Sequence, residues 1–227
     1  YINEHFPDAK IGIIYKNDEQ YSIGIRDNFK AEADARGMDI VYEGTFAEAN
    51  QTDFNVQLTA AQSAGADLLF LPIYYTPASA ILTQANALGY KPTFFGVDGM
   101  DGILTADNFD ASLAEGVYLL TPFSADAEDE MTQNFVTKYQ EAYGETPNQF
   151  GADAYDAIYT LYQAIQAAGV TADMATEDIC DALIEVMPTI SVTGLTSAGS
   201  EMTWDANGAV SKDPTAVIIE NGTYVTP

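Results

Sequence analysis

The residues best suited to chemistry in this sequence follow the ends of three short apolar runs. Tyr21 and Ser22 come after the first run, Tyr74 and Tyr75 after the third, and Asp98 after the fourth. A carboxylate forms a charge-assisted hydrogen bond with an ammonium group, and a tyrosine face adds a cation–π attraction of about 0.5–2 kcal/mol. An α-amino group would suit both. The alternative interpretation is that the tyrosines are ordinary loop residues and that Asp98 caps a helix, and the residues alone favour neither.

The motifs of the common enzyme classes are missing. The turn at residues 16–21 is acidic and glycine-poor, so it cannot hold a pyrophosphate. With a single cysteine, Cys180, and a single histidine, His5, neither an intramolecular disulfide nor a cysteine–histidine zinc site can form. The segment 205–208 fits a β-turn better than a metal site. We therefore expect a protein that binds a ligand, with no catalytic residue, no metal and no cofactor.

The charge balance narrows the choice of partner. The chain of 227 residues has 34 acidic and 8 basic side chains, a formal net charge of −26. A field of this sign repels phosphate backbones and anionic lipid surfaces, which argues against nucleic acid as a partner. No apolar run approaches the ~18 residues of a membrane helix. The charge favours cationic ligands only modestly, and solubility in a salty or acidic setting is its simpler explanation.

Residues 8–120 repeat one unit, in which a short apolar run precedes an amphipathic stretch. The pattern predicts strands at 11–15, 39–42, 67–71, 93–96 and 117–120, and helices at 20–36, 53–64 and 77–88. Such alternation indicates an α/β fold with a parallel sheet and right-handed crossovers. In a flavodoxin-like strand order, the order reverses between the first and third strands, and ligands bind beyond the carboxyl ends there. The candidate residues lie at these strand ends.

The pattern changes after Pro122. It predicts helices at 127–143, 149–168 and 176–187, followed by a tail of β structure with an Asn221-Gly222 hairpin turn. The three helices have apolar faces but no sheet of their own to cover. Either they form a small bundle or their partner sheet lies outside this chain.

An ordered set of short motifs resembles the leucine/isoleucine/valine-binding family of ABC-transporter receptors, which are type I periplasmic binding proteins. The segments that carry the resemblance are Glu19-Gln20-Tyr21-Ser22-Ile23-Gly24, Tyr74-Tyr75, Ala85-Asn86-Ala87-Leu88-Gly89-Tyr90, Phe94-Phe95-Gly96-Val97-Asp98-Gly99 and Tyr155-Asp156-Ala157. The similarity runs in order from about residue 8 to about residue 225.

The resemblance implies two lobes that close on an amino acid. Residues 1–121 would be the second lobe, residues 122–200 the hinge crossings and helices of an incomplete first lobe, and residues 201–227 a tail hairpin that returns to the second lobe. Tyr21 and Tyr74 would contact the ligand, with Tyr75 and Ser22 beside them. Asp98 would pair with the α-ammonium, although close relatives often have glutamate here.

The same resemblance implies a location outside the cytoplasmic membrane, in the periplasm or as a lipoprotein, and a membrane ABC permease as partner. A dimer through the uncovered helices is a second expectation for this chain.

Two other functions are weighed against transport. One is a sensory ligand-binding domain of the same fold coupled to signalling. The other is an enzyme on a similar sheet, which would need a phosphate loop or a catalytic base.

Overall fold

A computed structural model describes residues 1–197 and 200–227. This part of the chain forms two compact units, one of Tyr1–Thr121 with Ala216–Pro227 and one of Pro122–Thr215. The chain passes from the first unit to the second after residue 121. Residues 201–215 lie in the second unit, and residues 216–227 lie in the first. The assignment of the units to two lobes of a binding protein stays a prediction.

The first unit is built on a seven-stranded sheet. Its strands are β1 (Lys10–Lys16), β2 (Asp39–Phe46), β3 (Leu68–Leu71), β4 (Thr93–Gly96), β5 (Tyr118–Thr121), β8 (Thr215–Glu220) and β9 (Thr223–Val225). Its helices are α1 (Ile2–His5), α2 (Gln20–Arg36), α3 (Asn55–Ser63) and α4 (Tyr75–Leu88). The predicted helices at 20–36, 53–64 and 77–88 therefore lie within about two residues of α2, α3 and α4.

The strand order is β2-β1-β3-β4-β5-β8-β9. The pairs from β2 to β5 are parallel, whereas β8 and β9 pair antiparallel. The expected α/β fold with a flavodoxin-like order is thus confirmed, and the order reverses between β1 and β3. The antiparallel pair turns at Asn221 and Gly222, both at positive φ, as the Asn-Gly signal predicts.

Both faces of the sheet are covered at its centre, which explains why β1 and β3 are largely apolar and buried. Along β3, Leu69 and Leu71 face the core beneath α3 and α4, and Leu68 and Phe70 face the core beneath α1 and α2. This alternation follows from the two-residue period of a strand. The side of each residue is therefore set by register, and the sheet holds its strand ends in fixed positions.

Glycines end the two long helices of this unit. Gly37 follows α2 with φ 70°, and Gly89 follows α4 with φ 68°. This left-handed conformation is accessible to glycine at little cost. Each helix therefore stops where its glycine occurs in the sequence, and the chain turns back into the next strand.

The second unit is mainly helical. It contains α5 (Glu130–Tyr143), α6 (Gln149–Ala167), α7 (Thr176–Val186) and the short antiparallel pair β6 (Val192–Thr193) and β7 (Glu201–Met202). All three predicted helices are confirmed. Within residues 1–197 and 200–227, no helix is long and apolar enough to cross a membrane.

A buried carboxylate organises the second unit. Asp156 on α6 accepts hydrogen bonds from the backbone N–H groups of Leu195 and Thr196, both at 2.8 Å, and from the Thr196 hydroxyl at 2.7 Å. A side chain on Gly194 would lie 2.5 Å from the Asp156 carboxyl carbon. The loop after β6 therefore needs a glycine, and Asp156 ties α6 to that loop.

The tail differs from its prediction in one respect. Met202 pairs with Val192 in β6, and Trp204 forms a bridge with Val210, so this segment folds back on its own unit. Residues Ile218–Val225 form the predicted hairpin with the Asn-Gly turn. The sequence pattern marks these segments as β structure but carries no information on which strand each one pairs with.

Tyr90→Phe should destabilise the first unit and change its alkaline stability. The buried Tyr90 hydroxyl donates to the Ala66 carbonyl at 2.8 Å, and its loss should lower the free energy of unfolding by ~1–2 kcal/mol. Burial raises the pKa of Tyr90 to about 12. Between about pH 10 and pH 12 the unfolded tyrosine loses its proton while the folded one keeps it, so stability falls as the pH rises. Urea unfolding measures this loss of stability. Between pH 8 and pH 11 the free energy of unfolding should fall less in Tyr90→Phe than in the unsubstituted protein. An equal fall in both proteins would contradict the raised pKa of Tyr90.

Candidate functional site

Three adjacent strands of the first unit deliver the candidate residues to one edge of the sheet. Tyr21 lies in the first turn of α2 after β1, Tyr74 directly precedes α4 after β3, and Asp98 starts a short 3₁₀ turn after β4. Since β1, β3 and β4 are neighbours and parallel, their carboxyl ends lie side by side. The edge is the one at which the strand order reverses.

The hydroxyl of Tyr21 holds Asp98 in place. It donates to Asp98 Oδ1 at 2.5 Å and accepts a hydrogen bond from the Gly99 backbone N–H at 2.8 Å. Burial, and then the hydrogen bond to Asp98, raise the pKa of Tyr21 well above its ordinary value. The hydroxyl therefore stays protonated and remains a donor at any pH at which the protein would work. Tyr21 thus positions a carboxylate that arrives from a segment 77 residues away.

Tyr74 provides an aromatic surface beside this carboxylate. Its ring stacks on that of Tyr21 with the centroids 4.8 Å apart and an interplanar angle of 23°. The side chain is nevertheless 39% exposed, so the stack leaves part of the ring open to solvent. Burial, and then the charges of Glu19 and Asp98, raise the pKa of Tyr74. The Tyr74 hydroxyl therefore lies within electrostatic reach of two carboxylates.

The other two candidates, Ser22 and Tyr75, contact the rest of the first unit rather than the open edge. Ser22 is fully buried, and its Oγ accepts the backbone N–H of Lys16 at 2.8 Å, which joins the end of β1 to the start of α2. Tyr75 is half-buried and packs against the core beneath α3 and α4. Of the five predicted residues, the structure brings Tyr21, Tyr74 and Asp98 together. A ligand contact by Ser22 or Tyr75 stays a prediction.

Two residues of this edge lie in segments that the sequence analysis quoted but received no role there. Gly99 contributes a backbone N–H to Tyr21, and its lack of a side chain admits both tyrosine rings. Glu19 precedes α2, and its Oε1 lies 3.6 Å from Lys16 Nζ. The signal for Glu19 was its place in the same loop as Tyr21. No sequence pattern indicates that its carboxylate lies near Tyr74.

The arrangement has the chemistry of a cation-binding site. A carboxylate held by a neutral hydroxyl beside an aromatic face suits an ammonium group, because charge, hydrogen bonding and the ring quadrupole act in the same direction. Among the residues that the structure describes, no group of three or more metal-ligating side chains comes together. His5 stacks on Tyr1, and Cys180 is exposed on α7. The sequence analysis assigned neither residue to a site.

The chain belongs to the periplasmic binding protein family, whose model it matches over residues 1–216. This places it in a class of substrate-binding proteins rather than enzymes. The mostly parallel sheet matches the type I fold of that class, as expected from the sequence.

Individual relatives agree with this assignment. Leu/Ile/Val-binding protein homolog 1 of Brucella abortus is 27% identical over 172 residues, which are 74% of this chain and 44% of that protein. A leucine binding protein of Thermotoga maritima has the same fold, with a TM-score of 0.80 at 24% identity over 100% of this chain and 62% of its own. A branched-chain amino acid transporter substrate binding protein of Streptococcus pneumoniae, solved in complex with isoleucine, has a TM-score of 0.77 at 26% identity, over 100% of this chain and 63% of its own. The chain thus spans about half to two thirds of the length of these relatives.

Gly99→Ala should disrupt the edge that holds Asp98. A methyl group there would lie 2.6 Å from the Tyr21 hydroxyl, 3.1 Å from the Tyr74 ring and 3.2 Å from the Ile73 carbonyl oxygen. Since overpacking costs ~1–3 kcal/mol, the free energy of unfolding measured in urea should fall by about this amount. Gly24→Ala is the matched control, because nothing lies within 4 Å of a methyl group there, and this helical site should gain up to ~1 kcal/mol. Equal behaviour of the two variants would contradict the described packing.

Proposed function

We propose that this protein is an extracytoplasmic receptor that binds an α-amino acid, branched-chain or related, and delivers it to a membrane ABC permease. The observation that carries the proposal is the Tyr21–Asp98 pair beside the exposed face of Tyr74. The names of the relatives support it, since they are leucine-, isoleucine- or branched-chain-binding proteins. The family assignment supports a location outside the cytoplasm. A sensory domain of the same fold would use the same site, and no feature of the described residues favours it.

Asp98 takes the α-ammonium group in this proposal. Its carboxylate supplies the opposite charge, and the Tyr21 hydroxyl orients it before the ligand arrives. A preoriented acceptor needs little reorganisation on binding, which favours affinity. The exposed part of the Tyr74 ring adds a cation–π contact to the same ammonium. No covalent chemistry is needed, and ligand binding stabilises one conformation of the receptor through its contacts.

Asp98→Asn should weaken binding of α-amino acids at least ~10-fold. The variant keeps the shape of the side chain and an oxygen that can accept from Tyr21, but the ammonium loses its charged partner, which costs ~1.4 kcal/mol or more. Isothermal titration of the full-length protein with leucine and glutamine, and with the corresponding acids that lack the amine, measures the effect. Asp34→Asn removes the same charge from an exposed position on α2 and should leave the affinities unchanged. Unchanged affinity in Asp98→Asn would remove Asp98 from the site.

The domain assignment is the second part of the proposal. We propose that the first unit is the ligand-binding second lobe and that the helices of the second unit belong to the first lobe. Support comes from an exposed apolar stripe on α6, formed by Ile158, Leu161, Tyr162 and Ile165. The spacing i, i+3, i+4, i+7 is that of a helix face made for burial. The Thermotoga and Streptococcus proteins match all of this chain and extend well beyond it, so they contain a segment that can supply the cover.

Ile158→Asp should destabilise a full-length protein by ~2–5 kcal/mol and the present chain by less than ~1 kcal/mol. Ile158 is 66% exposed in this chain, so a charge there is tolerated, whereas burial beneath a sheet would leave it unpaired. Val56→Asp on α3 is the control, because Val56 is 79% exposed and needs no cover. Urea unfolding measures the loss of stability caused by each of the two variants, both in the full-length protein and in the present chain. A small effect in the full-length protein would contradict the lobe assignment, and a loss of dimers in the present chain would favour dimerisation through α6.

A further inference from the structure

A small cavity lies next to the proposed ammonium site, at the reversal of strand order. It has a volume of about 220 Å³ and is bounded by the loops that follow β1, β2 and β3. Polar side chains form much of its wall, namely those of Lys16, Glu19, Gln51 and Thr76. The crevice at such a reversal is where open parallel sheets bind ligands.

Tyr74 connects the cavity with the ammonium site. One face of its ring stacks on Tyr21, which holds Asp98, and the residue also lines the cavity. The charges of both Glu19 and Asp98 raise the pKa of its hydroxyl. The charges of two carboxylates therefore act on one partly exposed tyrosine. An amino acid with its ammonium at Asp98 can direct its side chain past Tyr74 into the cavity.

Glu19 has a buried oxygen with no hydrogen-bond partner among the described residues. This atom is Oε2, whereas Oε1 faces Lys16 Nζ at 3.6 Å. The ammonium of Lys16 makes its close contact elsewhere, with Glu48 Oε2 at 2.5 Å. A buried carboxylate oxygen without a donor is destabilising, so a donor that reached this atom would be favoured.

A further acceptor on the wall is the Gln51 carbonyl oxygen, because the NH₂ group of that amide donates to Glu48 Oε1 at 2.7 Å. The Thr76 hydroxyl can both donate and accept. The ionised side chains at the end of β1 and in the loops after β1, β2 and β3 are Lys16, Asp18, Glu19, Glu48 and Asp53, which sum to a charge of −3. An anionic side chain would be repelled, and an aliphatic one would bury Glu19 without satisfying it.

We propose that Glu19 is a specificity-determining residue and that the cavity takes a ligand side chain ending in hydrogen-bond donors, an amide or a cation. The inference rests on the proposed function and narrows its ligand class from α-amino acids in general to those whose side chain ends in a hydrogen-bond donor. A terminal N–H of the ligand donates to Glu19 Oε2 while the α-ammonium donates to Asp98. A site built to hydrogen-bond a substrate group discriminates strongly against an analogue that lacks it, because its own polar atoms then stay unpaired.

Isothermal titration of the full-length protein with matched amino acids tests this. Lysine has a terminal ammonium group that norleucine lacks. Glutamine ends in an amide that can donate hydrogen bonds, whereas glutamate ends in a carboxylate that only accepts them. We expect lysine or glutamine to bind at least ~10-fold more tightly than norleucine and glutamate, which is ~1.4 kcal/mol or more. Glu19→Met should abolish this preference while it leaves norleucine affinity equal or higher, because the variant removes the acceptor and keeps the bulk. Glu19→Gln retains an acceptor oxygen and should keep part of the preference for glutamine.

A control and a second comparison separate the ways in which the inference can fail. Glu32→Met removes the same charge from an exposed position on α2, where Glu32 pairs with Arg36 one turn away. It should change no affinity. If norleucine or leucine binds as tightly as lysine and glutamine, and Glu19→Met changes nothing, the inference is overturned while dependence on Asp98 retains the proposed function. If no α-amino acid binds, both are overturned together.

Discussion

The parallel pairing of β1 with both β2 and β3 is the constraint on which the first unit depends. Because β1 has a neighbour on each side, the crossover that leaves it and the crossover that leaves β3 run on opposite faces of the sheet. The loops at the carboxyl ends then diverge, and a crevice opens between them. Tyr21 and Tyr74 follow β1 and β3 at this crevice, and Asp98 is hydrogen-bonded to Tyr21. The location of the site thus follows from strand order, before any side chain is considered.

The chemistry of the crevice depends on one hydroxyl. Tyr21 uses its donor on Asp98 and its acceptor on Gly99, so both hydrogen-bonding capacities are satisfied internally. A polar group engaged in this way adds rigidity and leaves the carboxylate in a defined orientation. Gly99 is required for the same arrangement, because a side chain at this position would collide with the Tyr21 hydroxyl and the Tyr74 ring. Recognition of a cation therefore rests on a preformed acceptor and not on a flexible acid.

The two units solve the problem of burial differently. In the first, a sheet covered on both faces buries the large apolar side chains of its strands fully or in part. In the second, Asp156 ties α6 to the loop after β6 through three hydrogen bonds, while the opposite side of α6 remains exposed. A helix that is clamped on one face and apolar on the other is typical of a helix with a further partner. This asymmetry is the physical basis for the proposed lobe assignment.

The sequence by itself determined the elements and the fold class. The apolar runs of β1, β3 and β4 and the glycines after α2 and α4 act locally, so their positions can be predicted from spacing alone. The ends of parallel strands share an edge, and this general rule was enough to collect Tyr21, Tyr74 and Asp98 as candidates.

Only the tertiary structure decided what these residues do. Tyr21 positions Asp98, Ser22 faces inward, and Glu19 lines a cavity, because each depends on side-chain direction and on partners up to 77 residues away. The pairing of β7 with β6 was unpredictable for the same reason. Hydrogen bonds over such separations form only once the sheet has set the distances, and no local pattern in the chain records them.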